Sequence, residues 1–99
     1  MSVVRLTLYV AGDTGRSESA IENLRRICRS DLAGEVELSV VDVTHEPDQA
    51  EAARILTTPT VVREAPLPTR RITGDLSSTS HVLSALGLQR RLSSTHEEG

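Results

Sequence analysis

The chain has a single tyrosine, Tyr9, and no tryptophan or phenylalanine. Recognition by an aromatic cage or by stacking bases on rings therefore has almost no side chains to draw on, which argues against single-stranded nucleic-acid binding. Lysine is absent, and all eleven basic side chains are arginine. The simplest reading of that is codon bias in a GC-rich genome. The consequence is firm: no Schiff-base or P-loop lysine exists. Cysteine occurs once, at Cys28, so the fold owes nothing to an internal disulfide. No apolar run approaches the ~20 residues needed to span a bilayer. The first residues enter a strand pattern without a basic and then apolar leader, so the expected location is the cytoplasm. A formal net charge of −3 gives no general pull toward phosphate backbones or anionic membranes.

What remains is an aliphatic chain of 99 residues, enough for one domain and one modest core. Val4, Leu6, Leu8 and Val10 alternate with Arg5, Thr7 and Tyr9, the period of a strand. After the break at Ala11–Gly15, Ala20, Ile21, Leu24, Ile27 and Cys28 fall on one helical face, with Ser19 and Glu22 at capping-box spacing and Gly34 as a C-terminal cap. Val36–Val43 reads as a second strand, parallel to the first through a βαβ crossover. Pro47 opens a short Ala-rich helix carrying Ala50, Ala52, Ala53, Ile55 and Leu56, which Thr57-Thr58-Pro59 ends. Thr60–Glu64 and Arg70–Thr73 read as antiparallel strands joined by Ala65-Pro66-Leu67-Pro68. Gly74-Asp75-Leu76-Ser77 makes a turn. Ser77 or Ser78 caps a last helix that buries Val82, Leu83 and Leu86 and stops near Gly87. The expected domain is 1–88, and residues 89–99 read as a polar, disordered tail.

The order β-α-β-α-β-β-α, with Thr58-Pro59 directly before the third strand, resembles the thioredoxin fold. That resemblance implies a cis-proline at Pro59 and an α/β, four-stranded mixed sheet with helices on both faces. A closer set of blocks lies in order across residues 5–88: Leu8-Tyr9-Val10-Ala11-Gly12, Val41-Asp42-Val43, Ile55-Leu56-Thr57-Thr58-Pro59-Thr60, Pro68-Thr69-Arg70-Arg71-Ile72 and Gly74-Asp75-Leu76-Ser77. Together they resemble the circadian clock KaiB family. The resemblance implies a protein without catalytic residues that binds a KaiC-type ATPase. A KaiA-like protein or a histidine kinase is a further implied partner, and self-association as a dimer or tetramer is implied as well. Cyanobacterial members also adopt an alternative ground-state fold with a refolded C-terminal half. This chain departs from them at Ala85, where they carry glycine, and at Gly87, where they carry an acidic residue. Alanine favours a helix interior over glycine by about 1 kcal/mol, so the departure points to the thioredoxin-like form, with a helix across 80–87.

Disulfide exchange is the obvious chemistry for such a fold, and it needs a thiolate at the start of the first helix. The loop there, Gly12-Asp13-Thr14-Gly15-Arg16-Ser17, has no sulfur. Cys28 lies three turns further on and reads as a small buried hydrophobe. His45, His81 and His96 stand in separate segments without metal-ligand spacing. Ser17 and Ser19 lack a nucleophile elbow, and Gly12-Asp13-Thr14-Gly15 lacks the spacing of a phosphate loop. No metal or cofactor is expected. What is left is a surface that binds. Arg54, Arg63, Arg70 and Arg71 are the candidate partner contacts, since arginine suits planar pairing with carboxylates, and Asp13 is a further candidate. The second strand, as a sheet edge, is either a docking strand or one guarded by Glu37 and Ser39. The rival readings are a thiol oxidoreductase and a stand-alone relative of a kinase sensor domain.

Overall fold

A computed structural model describes residues 3–32, 35–74 and 76–89. The elements are β1 (Val3–Val10), α1 (Gly15–Ser30), β2 (Glu35–Asp42), α2 (Pro47–Ala52), β3 (Thr60–Ala65), β4 (Arg70–Thr73) and α3 (Thr79–Leu86), in the order read from the sequence. The expected cap at Gly34, the turn residue Asp75, His96 and the tail from residue 90 onward fall outside the described residues. The strands form one mixed sheet, ordered β2-β1-β3-β4. β2 runs parallel to β1, while β3 is antiparallel to both β1 and β4. This is the thioredoxin-like arrangement, with β2 and β4 as its edges.

Alternation along β1 sends Leu6, Leu8 and Val10 to one face, where they join Ala20, Leu24 and Ile27 of α1 and Val82, Leu83 and Leu86 of α3. The opposite face of β1 is covered as well, since Thr7 and Tyr9 are also buried. A central strand loses its polar side in this way, and β3 shares the property through Thr60, Val61, Val62 and Arg63. Ala50, the buried residue of α2, is not part of the cluster that α1 and α3 build.

Helix α1 starts one turn earlier than the Ser19–Glu22 spacing implied. Thr14 is its N-cap: its Oγ1 accepts from the Ser17 N–H at 3.1 Å and donates to Ser17 Oγ at 3.1 Å. Such a cap contributes about 1 kcal/mol. Ser17 is thereby a buried capping partner. At α3 the Ser78 hydroxyl accepts from the His81 N–H, and the helix ends at Gly87 with φ 66°. Gly87 N–H donates to Ser84 O and Leu88 N–H to Leu83 O, the paired bonds of a Schellman turn. Residues 79–86 are therefore helical, as the thioredoxin-like form requires. The Thr58–Pro59 bond ahead of β3 is cis, as are Ala65–Pro66 and Leu67–Pro68.

Candidate functional site

The five candidate contact residues do not form one patch. Register explains why. Tyr9 pairs with Thr60 and Val10 with Asp42, so one end of the sheet gathers the β1–α1 loop, the β2–α2 turn and the α2–β3 loop. Arg63 pairs with Leu6 and Arg70 with Arg63, which places both toward the other end.

At that other end Arg63 corrects the expectation. It shares the core face with Leu6 and Val61 and is only 5% exposed. Its Nη1 donates to Leu86 O at 2.9 Å and Gly87 O at 3.3 Å, and its Nη2 donates to Pro68 O at 2.6 Å. The guanidinium thus closes the C-terminus of α3, where helix carbonyls lack intrahelical partners and the dipole favours a cation. In this fold its side chain is spent on holding α3 and is not exposed at the surface. Arg70 remains exposed beside it; a Cβ on Gly87 would lie 3.1 Å from both Arg63 Nη1 and Arg70 Nε.

The first end carries the more coherent surface. α2 is shorter than its Ala-rich sequence implied, and stops at Ala52. Arg54 N–H donates to Glu51 O at 3.0 Å and Ile55 N–H to Ala50 O at 3.0 Å, which again makes a Schellman turn. The position that glycine usually fills is Arg54, with φ 57°. The turn lifts Ile55 and Leu56 out of the helix, and Leu56 is 94% exposed. Val43, Pro47, Ala50, Ile55 and Leu56 then line an open, mostly apolar groove of about 730 Å³, with Arg54 and Glu51 on its rim. The Arg54 side chain is exposed and makes no hydrogen bond or ion pair among the described residues. Arg71 is different: it reaches from β4 to the end of α2, where Nη2 donates to Ala53 O at 2.8 Å and Nη1 to Arg54 O at 3.1 Å.

Asp42 ties two loops of this end together. Its Oδ1 accepts from the Gly12 N–H at 3.0 Å, the Thr44 N–H at 2.9 Å and the Thr44 hydroxyl at 2.7 Å. His45 Nδ1 stands 3.4 Å from Oδ2. The Thr44 hydroxyl first, and then the Gly12 and Thr44 amides, hold the carboxyl below its ordinary range. This brace fixes the β1–α1 loop, which leaves Asp13 exposed at the same end as Arg54. Glycine is favoured at Gly12 by its φ of 71°.

Sequence reasoning missed Leu56 and the groove. A leucine two residues past Ala-rich helical sequence reads as a buried helix position, and only the left-handed turn at Arg54 exposes it. β2 is a sheet edge, as expected; on it Glu37 pairs with Arg5 at 3.2 Å, both side chains solvent-exposed, and Val40 is exposed. Cys28 is half-buried against the core, and burial pushes its thiol up from the usual range. His45 and His81 are exposed. Among the described residues no group of three or more His, Cys, Asp or Glu is placed to hold a metal ion. Among them, too, no helix is long and apolar enough to cross a membrane.

Comparison with known proteins joins this geometry to a family. The model of the KaiB domain matches residues 7–88. The circadian clock protein KaiB3 of Synechocystis sp. is 41% identical over 97 residues, covering 93% of this chain and 95% of that protein. The circadian clock oscillator protein KaiB of Synechococcus elongatus is 46% identical over 83 residues, covering 84% and 81%. Among solved structures, the N-terminal domain of Synechococcus elongatus SasA matches with a TM-score of 0.71 at 21% identity, covering 94% of this chain and 91% of that one. Chloroplastic thioredoxin z matches at 0.67 and 22% identity, covering 86% and 76%, and so shares the fold. By its sequence across nearly the whole domain and by its fold, the chain belongs to the KaiB family.

Proposed function

We propose that this chain is a non-catalytic docking module of a circadian or timer-like signalling system, and that it binds a KaiC-type ATPase through the corner where α2 meets β3. The observation that carries the reading is the pairing of Leu56, 94% exposed, with an uncommitted guanidinium at Arg54 on the rim of one apolar groove. An exposed aliphatic anchor beside a cation suits a partner surface with an apolar recess flanked by carboxylates. Membership of the KaiB family supports the choice of partner, since its curated relatives are named as clock proteins. Capture of a KaiA-like protein or displacement of a histidine kinase would follow from the same complex. Thiol exchange is disfavoured on chemistry, because the β1–α1 loop has no sulfur and Cys28 is partly buried with a raised pKa.

The test is size-exclusion chromatography with light scattering on a mixture of this protein, the host's KaiC-type ATPase and ATP. The reading expects co-elution with the ring, and expects Arg54→Glu to abolish it. Separate elution of the wild-type chain at tens of micromolar, or equal co-elution of Arg54→Glu, would refute it.

A further inference from the structure

The turn that presents Arg54 and Leu56 is held from outside its own element. Arg71 stands on β4, an edge strand, with its side chain exposed, so core packing does not account for it. Its fork grips two successive carbonyls, Ala53 O and Arg54 O. The last carbonyls of a helix have no intrahelical donor, and a planar guanidinium can satisfy two at once where a lysine ammonium acts as a point charge. The gripped residue is Arg54, whose left-handed backbone is costly for a side chain other than glycine. Strained conformations persist where the surroundings over-determine them. Here the surroundings are the turn's own bonds to Ala50 and Glu51, the Arg71 fork, and the Thr60 hydroxyl donating to Thr57 O at 2.7 Å at the far end of the loop. Both Arg71 amino groups already donate to carbonyls of the turn, which commits the fork to holding the backbone.

We propose that Arg71 is a positioning residue: it fixes the 53–56 turn in the shape that offers Arg54 and Leu56 to the partner, without itself meeting that partner. The inference rests on the docking reading of this corner. It predicts that charge at position 71 is not what matters and that the fork is.

Three proteins decide it: wild type, Arg71→Lys and Arg71→Met. Amide hydrogen exchange of the free proteins is followed at Arg54 and Ile55, with Leu6–Val10 of β1 as the reference for global stability. Affinity for the KaiC-type ring with ATP is measured alongside. Both variants are expected to speed exchange at Arg54 and Ile55 at least tenfold with β1 unchanged, and both to weaken binding at least tenfold. Wild-type exchange at Arg54 and Ile55 in Arg71→Met would overturn the proposal. So would full binding by Arg71→Lys, which would make Arg71 a charge contact. Unchanged binding by both variants would overturn it while leaving the docking reading intact. If the wild-type chain does not bind the ring, the docking reading falls and the positioning role with it, while the exchange data still decide whether Arg71 holds the turn.

Discussion

Replacing Arg54 with glycine should make the protein more stable and a worse binder. The residue sits at φ 57° in the turn that ends α2. A left-handed conformation costs a residue with a Cβ roughly 1–2 kcal/mol, which glycine escapes. The freer unfolded chain of the glycine variant returns about 0.5–1 kcal/mol of that. The two turn bonds, to Glu51 O and Ala50 O, and the Arg71 fork all engage backbone atoms and survive the change. The net gain is about 0.5–1 kcal/mol, which for a domain of this size raises Tm by about 2–8 °C. The exposed guanidinium is lost in the same step, and with it at least about tenfold in affinity for the ATPase ring, equivalent to ~1.4 kcal/mol. Thermal unfolding followed by circular dichroism and a binding titration on the same preparation read both effects. A fall in Tm would refute the strain argument. A rise in Tm with unchanged affinity would show that Arg54 is not a contact.

Arg63→Met should destabilise the fold by about 3 kcal/mol, because charge-assisted bonds to three carbonyls are lost at a buried site. Urea unfolding measures it, and amide exchange at Leu83–Leu88 should rise more than at α1. Gly87→Ala should cost about 1 kcal/mol, since alanine at φ 66° is strained and its Cβ would crowd Arg63 and Arg70; a stabilised variant in urea unfolding would contradict this. The Asp42 carboxyl is held low in the folded state, chiefly by the Thr44 hydroxyl. Its contribution to stability is complete above the unfolded value near pH ~3.9 and is lost as pH falls through the lower folded value. Asp42→Asn should therefore be less stable at neutral pH and show a flatter acid limb in stability measured between pH 2 and about 5.

Much of this fold was legible because β1, β2 and α1 carry their signals in periodic aliphatic residues. Leu6, Leu8 and Val10 mark a strand, and Ala20, Leu24 and Ile27 mark a helix face, whatever lies around them. The site was less legible for three physical reasons. Arg54 gives no stop signal, since arginine is a good helix former, yet the chain turns left-handed there. Arg63 follows Val61 at strand spacing and so belongs to the core face, but its length and charge read as a surface residue until the open carbonyls of α3 supply its partners. Arg70 and Arg71 are adjacent in sequence and point to opposite faces of β4, so a cluster in sequence became two separate places in space.

Hydrogen-exchange mass spectrometry of this protein alone and in complex with the KaiC-type ring tests the docking corner most directly. Protection is predicted across residues 43–58, strongest at Arg54–Leu56, with little change at Pro66–Arg70 and Gly87–Gln89. Protection confined to those latter segments, with 43–58 exchanging as in the free protein, would contradict the account.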